Sequence, residues 1–312
     1  MKLIFLGTSE FAVPILKTIK EKTNWEIALV VSESAKPQGH RQKVIDTPVA
    51  RYSKEFNLNL ITPSDLASVN WKQYQADVAV VVSYGRILPK EIVYLPTWGT
   101  INIHPSLLPK LRGASPIQTA LTQGLDETGV TLMVIDEKMD HGPILSQEML
   151  VIEPGDTYLT LESKLSELGA KMLVQDLPRY IAGKLKPVEQ NHAEATYTKL
   201  IKKENGLIDW SKPADDIYNQ WRAYIKWPGV YTFFKNKSGT NTRFKLIEIE
   251  KCAKLGFAQK PTGEIFIEQK ELFIACNVGA IKIIKLQPES SKTLTAQEFL
   301  NGYGYFVGQV LG

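Results

Sequence analysis

The sequence predicts an α/β protein of two domains, a doubly wound sheet followed by a smaller β-barrel. The chain has 312 residues, and soluble domains usually hold roughly 100–200. Strands and helices alternate through its first half, whereas short strands separated by Gly- or Asn-containing turns fill its last third. The composition, with 44% hydrophobic and 22% charged residues, is that of a globular protein and argues against a disordered, collagen-like or coiled-coil chain.

Nearly continuous apolar runs predict buried parallel strands in the first domain. They are rich in β-branched residues and are followed by Gly, Ser or Thr, as expected where a strand enters a turn. The runs cover residues 2–8, 25–33, 77–85 and 100–106. A helix is predicted from near Pro14, because proline is tolerated in a first turn, to about Lys22.

The remainder of the first domain is predicted from capping and periodicity. Ser115 and Gln118 form a capping box around Pro116, and Gly124 ends that helix. Strands are expected at 129–136 and 143–152, and apolar residues at helical spacing predict a long amphipathic helix over 157–183. A shift towards polar and basic residues then indicates a linker. We therefore expect domains at 1–184 and 206–312, joined by residues 185–205.

Charge and cysteine content narrow the possible functions. The net charge is +4, and residues 206–312, with 14 basic and 10 acidic residues, carry all of it, which is a mild indication of an acidic partner such as nucleic acid. Two cysteines and four histidines leave little material for a disulfide scaffold or a zinc enzyme. The short apolar run at the N-terminus is below the length of a signal peptide, so a cytoplasmic protein is expected.

Strand ends are where a doubly wound sheet binds its ligands. The first such turn, at Gly7, lacks GxGxxG, and GxxxxGK[ST] is absent from the chain, so dinucleotide and nucleotide-phosphate binding lose their main support. On the fourth strand, Asn102 and His104 are two residues apart and therefore project to the same face. Asparagine can donate to a developing oxyanion, and histidine can polarise a carbonyl or move a proton.

These residues belong to a larger pattern. Asn102-x-His104 is followed by Ser106-Leu107-Leu108-Pro109 and, further on, by Asp140 in a D-x-G turn. Together these motifs resemble the folate-dependent formyltransferases, and Tyr84 to Pro89 is similar to that family's pterin-contacting loop. The resemblance implies a Rossmann-like catalytic domain that takes a formyl group from 10-formyltetrahydrofolate without a metal. It assigns catalysis to Asn102, His104 and Asp140, and folate binding to Ser106, Leu107, Leu108, Pro109, Tyr84, Gly85, Arg86, Ile87 and Leu88.

The residue types suit that chemistry. Asn102 and a protonated His104 can stabilise charge on the formyl oxygen, and Asp140 can favour the charged imidazole and help to carry the proton of the attacking amine. His141 is interpreted as a turn residue, and Asp136 and Glu137 as solvated.

The remaining sequence bears on the formyl acceptor. FLGTSEFAVPIL at the start and ATYTKLIKKENGLIDW at 195–210 resemble the members that formylate initiator methionyl-tRNA, which implies an OB-like C-terminal domain. Separately, we expect a monomer, and no membrane contact because the sequence has no run of 18 apolar residues. A basic loop after the second strand is similar to the one that approaches tRNA in that family, except that His40 stands where arginine is typical. The residues expected at tRNA are Lys36, His40, Arg41, Lys43, Lys199, Lys202 and Lys203.

Two alternatives remain at this stage. The same catalytic motifs serve sugar-nucleotide formyltransferases, and a catalytically idle RNA-binding protein would retain the basic residues. Intact Asn102, His104 and Asp140 argue against the idle protein.

Overall fold

The chain forms two compact units. A computed structural model describes residues 1–38, 43–252 and 260–311. The N-terminal unit comprises Met1–Pro116, Asp126–Glu153 and Thr160–Lys199, and the C-terminal unit comprises Ile117–Leu125, Pro154–Leu159 and the chain from Leu200 onwards. Two short segments of the first half therefore group with the C-terminal unit. The boundaries expected at 184 and 206 stay a prediction.

A seven-stranded sheet forms the centre of the N-terminal unit. In chain order its strands and those of a separate hairpin are β1 (Lys2–Gly7), β2 (Glu26–Val31), β3 (Lys36–Gln38), β4 (Lys43–Ile45), β5 (Leu60–Ile61), β6 (Val78–Val82), β7 (Thr100–His104), β8 (Glu127–Val134) and β9 (Ile144–Val151). The sheet order is β5-β2-β1-β6-β7-β8-β9, while β3 and β4 form a separate two-stranded sheet. In the seven-stranded sheet, the five neighbouring strands from β5 to β7 run parallel to one another, and β8 and β9 are antiparallel to their neighbours.

Sequence and burial agree along the central strands. Every residue of β6 is buried, as are residues 3–7 of β1, because apolar strands in a parallel sheet are covered on both faces. The helices in the first 181 residues are α1 (Ala12–Lys22), α2 (Pro48–Glu55), α3 (Lys90–Tyr94), α4 (Pro116–Thr122) and α5 (Tyr158–Ile181), of which α4 lies almost wholly in the C-terminal unit. A Cβ atom on Gly169 of α5 would lie 2.8 Å from Ile103 Cγ2, so this glycine lets α5 approach β7 closely.

The C-terminal unit is built on a curled antiparallel sheet. Its elements are α6 (Ala214–Tyr224), β10 (Val230–Lys235), β11 (Asn241–Cys252), β12 (Ile265–Glu268), β13 (Glu271–Ala275), β14 (Ala280–Pro288), β15 (Leu294–Thr295) and α7 (Ala296–Tyr303). The order is β10-β11-β14-β13-β12, with β15 also paired to β14. Phe234, Phe244 and Phe306 meet edge to face at centroid distances of 5.2–5.7 Å, the favoured geometry for packed aromatic rings.

The curled sheet is a half-barrel, and one residue joins its two edge strands, β10 and β12. The backbone N–H of Lys235, on β10, donates to Gln309 Oε1 at 2.9 Å, and Gln309 Nε2 donates to Lys235 O at 2.9 Å. The backbone carbonyl of Gln309 accepts from the N–H of Ile265, on β12, at 2.9 Å. The amide of Gln309 thus takes the place of a neighbouring strand for Lys235, at the edge of β10.

The predicted fold class is confirmed, with several elements added. The sequence did not predict the β3–β4 hairpin, β5, α2, α3, β15 or α7, which are short. Within the residues that the structure describes, no helix has the length and apolar content needed to cross a membrane.

Candidate active site

Two polar side chains occupy the end of the central strand β7. Asn102 and His104 pair in register with Met133 and Thr131 of β8. His104 is 4% exposed, so its ring requires hydrogen-bond partners within the protein. The predicted same-face placement of these two residues is realised at the carboxyl end of β7.

The acidic residue comes from the turn between β8 and β9. Asp140 has a positive φ of 49°, a conformation that a short polar side chain tolerates better than most. Its Oδ2 accepts the backbone N–H of Gly113 at 2.6 Å. Its Oδ1 lies 3.4 Å from Asn102 Nδ2 and 3.6 Å from His104 Nδ1. The three residues predicted to be catalytic therefore converge on one point.

The partners of His104 determine where its protons lie. Nε2 is 3.1 Å from the carbonyl oxygen of Leu111, and a carbonyl only accepts, so Nε2 carries a proton. Nδ1 faces the Asp140 carboxylate. A neutral ring would turn a lone pair towards that carboxylate, whereas an imidazolium turns an N–H towards it. An attractive contact of Nδ1 with the Asp140 carboxylate, 3.6 Å away, therefore requires the charged form of the ring.

The loop from Ser106 to Pro109 is held by the strands beside it. Thr131 Oγ1 donates to Ser106 O at 2.6 Å and accepts from Leu108 N at 3.1 Å. Gln147 Nε2 donates to Leu108 O at 2.7 Å, and Ser106 Oγ donates to the carbonyl of Lys110 at 2.6 Å. These bonds order the loop, and they occupy the Ser106 hydroxyl within the protein.

The loop from Tyr84 to Leu88 follows β6, the neighbour of β7. The Tyr84 side chain packs in the core with Ile4 and Leu6, and burial raises the pKa of its phenol. Arg86 donates to the carbonyls of Pro63 and Ser64, each at 2.8 Å. The Tyr84 ring and the Arg86 guanidinium are thus engaged inside the protein.

The most exposed parts of this second loop are uncharged, while the Arg86 side chain is 29% exposed. Gly85 has a positive φ of 83° with open space where a Cβ would project, and Ile87 is 93% exposed. Backbone groups and an aliphatic side chain therefore form much of the accessible part of the loop.

Comparison with known proteins assigns the chain to a family. Residues 1–177 match the formyl transferase family, and residues 200–304 match the formyl transferase C-terminal domain. The chain belongs to the formyl transferase family. This formyl transferase is 40% identical, over 316 aligned positions covering all of both chains, to a methionyl-tRNA formyltransferase of Caldicellulosiruptor saccharolyticus. It is also 40% identical to one of Carboxydothermus hydrogenoformans, over 99% of each chain.

A solved structure with a similar fold is the N-formyltransferase of Helicobacter canadensis. It superimposes with a TM-score of 0.64 over 92% of this formyl transferase and 99% of its own chain, at 21% identity. At that identity the likeness concerns the fold.

The basic residues expected at tRNA are only partly within the described structure. Lys36 lies on β3 and pairs with Glu33, while Lys43 begins β4. His40 and Arg41 lie outside the described residues. The side chains of Lys199, Lys202 and Lys203 are exposed, and none of the three forms an ion pair with another described residue. Their role at tRNA stays a prediction.

A polar cluster behind Asp140, centred on the buried Arg112 and Gln190, was not predicted from the sequence. Arg112, 2% exposed, donates through Nη2 to Gln190 Oε1 at 2.6 Å and lies 2.9 Å from His192 Nδ1. His141, interpreted as a turn residue, stacks on His192 at 3.9 Å and contacts Asp136 Oδ2 at 2.6 Å. Asp136 is therefore paired as well as partly solvated. Nothing local in the sequence signals this cluster, because Gln190 falls in the predicted linker.

The neighbours of His192 keep its ring neutral. Arg112 can only donate, so His192 Nδ1 accepts and its proton lies on Nε2. Desolvation, and then the nearby His141 and Arg112, lower the pKa of His192. Among the described residues no cluster of His, Cys, Asp and Glu has the arrangement of a metal site.

Proposed function

We propose that this formyl transferase moves the formyl group of 10-formyltetrahydrofolate to the α-amino group of initiator methionyl-tRNA. The observation that carries the catalytic part is the convergence of Asn102, His104 and Asp140 at the end of β7. The choice of acceptor is supported by relatives that are 40% identical along the whole chain and are methionyl-tRNA formyltransferases.

The loops after β6 and β7 suit a folate ring. They lie at the carboxyl ends of adjacent parallel strands, which is where a doubly wound sheet binds ligands. The open side of Gly85 and the exposed Ile87 offer an uncharged surface to a flat heterocycle, and nearby backbone groups can bind its polar edge. In this proposal residues 84–88 and 106–109 hold the donor, which supplies an activated formyl group when bound.

Each catalytic side chain then has a distinct task. The second N–H of Asn102 Nδ2 donates to the formyl oxygen, in the manner of an oxyanion hole, and the positive charge of a protonated His104 nearby stabilises the negative charge that develops there. Asp140 stabilises the charged imidazole and accepts a proton from the attacking amine, directly or through water. Asp140 can hold this position because Gly113 N–H binds its second oxygen.

The tRNA would be held by exposed cations outside the catalytic centre. Lys199, Lys202 and Lys203 are available because no described carboxylate neutralises them. Several cations of the C-terminal sheet are instead paired, including Lys282 with Glu250 at 3.4 Å and Lys285 with Glu248 at 2.7 Å. Phosphate binding is therefore proposed for the segment from 199 to 203 rather than for the paired face of the sheet.

The test is direct formyl transfer. The purified protein is incubated with 10-formyltetrahydrofolate and charged initiator tRNA, and formylmethionine is released from the tRNA and quantified. Charged elongator methionyl-tRNA and an amino-sugar nucleotide serve as alternative acceptors, with Asp140→Asn as the control of strongly reduced activity. Formylation of the initiator tRNA is expected. Preference for the sugar, or tRNA binding without any transfer, would contradict the proposal.

A further inference from the structure

A buried glutamine lies directly behind the acidic residue of the site. Gln190 is 5% exposed, and its Nε2 donates to the backbone carbonyls of Asp140 at 3.0 Å and Gly142 at 2.7 Å. Its Oε1 accepts from Arg112, at 2.6 Å from Nη2 and 3.2 Å from Nε. Both amide protons and both oxygen lone pairs are thus used, which is the full capacity of the side chain.

The orientation of this amide is unambiguous. A guanidinium only donates and a carbonyl only accepts, so the oxygen of Gln190 must face Arg112 and its NH₂ must face Asp140 and Gly142. Within the described residues no carboxylate forms an ion pair with Arg112. The guanidinium is therefore free to bind the neutral amide and to fix its rotation.

The turn that carries Asp140 depends on such support. Asp140 has a positive φ, a conformation that costs on the order of 1 kcal/mol or more and persists where the surroundings hold it. On one side, a Cβ on Gly142 would lie 2.0 Å from Val134 O, so the backbone already packs directly against β8. On the other side, the carbonyls of Asp140 and Gly142 are bonded by Gln190.

Two consecutive residues, Arg112 and Gly113, support Asp140 at different atoms. The backbone N–H of Gly113 binds the Asp140 carboxylate at 2.6 Å, and the side chain of Arg112 orients the glutamine that binds the Asp140 backbone. Displacement of a catalytic group by about 1 Å can lower a rate by about 10²-fold. We infer that Gln190 is a positioning residue that acts on formyl transfer through Asp140.

This inference rests on the proposed function, and the experiment separates the two. Gln190→Glu keeps an acceptor for Arg112 but replaces the NH₂ that binds the two carbonyls. Gln190→Leu removes both polar groups without adding charge, so an effect shared by the two variants arises from the lost donors. Gln175→Glu, at an exposed position of α5, is the control for the added charge.

We expect kcat for formyl transfer to fall about 10–100-fold in both Gln190 variants. The KM for the formyl donor should stay within about twofold, and Gln175→Glu should behave as wild type. In an Asp140→Asn background, the Gln190 substitutions should cause no further loss of kcat, because residues that act as a unit are not additive. Equal losses in both backgrounds, or wild-type kcat in folded Gln190 variants, would overturn the inference.

A second readout does not depend on activity. The Gly113 amide, bound to Asp140, should exchange at least about 10-fold faster in the Gln190 variants, whereas the Lys110 amide, bound to Leu107 O, should not change. Three outcomes would overturn the inference and leave Gln190 a purely structural role. They are faster amide exchange throughout the protein, unchanged exchange at Gly113, and failure of both variants to fold. If the wild type transfers no formyl group while Gly113 responds as expected, the proposed function alone fails.

Discussion

Replacing Asp140 by asparagine separates the charge of this side chain from its shape. Asparagine tolerates the positive φ at this position about as well as aspartate, so the turn keeps its conformation, whereas alanine would add strain. The amide oxygen can still accept the Gly113 N–H. What is lost is the negative charge 3.6 Å from His104 Nδ1 and the site that accepts a proton.

The expected loss follows from that distance. At an effective dielectric constant of about 20, two opposite charges so placed attract by about 4–5 kcal/mol. Each 1.36 kcal/mol corresponds to about a factor of ten in rate, so the charge is worth up to about 10³ in kcat. Removal of a proton-transfer partner by itself accounts for about 10²–10⁴. We therefore expect kcat of Asp140→Asn to fall between about 10² and 10⁴.

The assay measures kcat and KM with charged initiator tRNA at saturating formyl donor. Thermal unfolding and donor affinity are the controls, and both should match wild type because Asn keeps the Gly113 contact. His104→Ala and Asn102→Ala should each lose about 10²–10³ in kcat. A folded Asp140→Asn protein with kcat within about threefold of wild type would refute the assignment.

Three further predictions concern the donor, the tRNA and the core. A folate analogue should slow amide exchange at both 84–88 and 106–109; protection confined to the C-terminal unit would contradict this. Alanine at Lys199, Lys202 and Lys203 should lower the slope of log K against log salt for tRNA by about 0.7–0.9 for each lost phosphate contact, whereas alanine at the paired Lys285 should change it less. Burial raises the pKa of Cys276 to about 12, so in a Cys252→Ser protein a thiol reagent at pH 8 should label Cys276 only on unfolding; rapid native labelling would contradict its burial.

Much of the fold could be predicted because its signals are local. The apolar runs that became β1, β2, β6 and β7 are determined by neighbours in the chain, and so is the alternation that places Asn102 and His104 on one face of β7. Short elements such as β5 and the β3–β4 hairpin were not predicted, because a strand of two or three residues is too short to show a periodic pattern. Their pairing partners, rather than their own residues, make them strands.

The candidate site divides in the same way. The residue types and the order of the motifs that contain Asn102, His104 and Asp140 are visible in the sequence itself. Their resemblance to known motifs led to the family that the chain belongs to. The contacts of the His104 ring are not visible in the sequence, because the Leu111 carbonyl and the Asp140 carboxylate reach it only in the folded chain.

The sequence by itself determined the two-domain α/β class, the central strands and the identity of the polar triad. Only the tertiary structure decided how the triad is supported and how the half-barrel is completed. Gln190 bonds Asp140 across 50 positions, and Gln309 bonds Lys235 across 74. A glutamine has two donors and two acceptor lone pairs wherever it occurs. Which groups use them depends on the burial that folding imposes, and no local pattern encodes that choice.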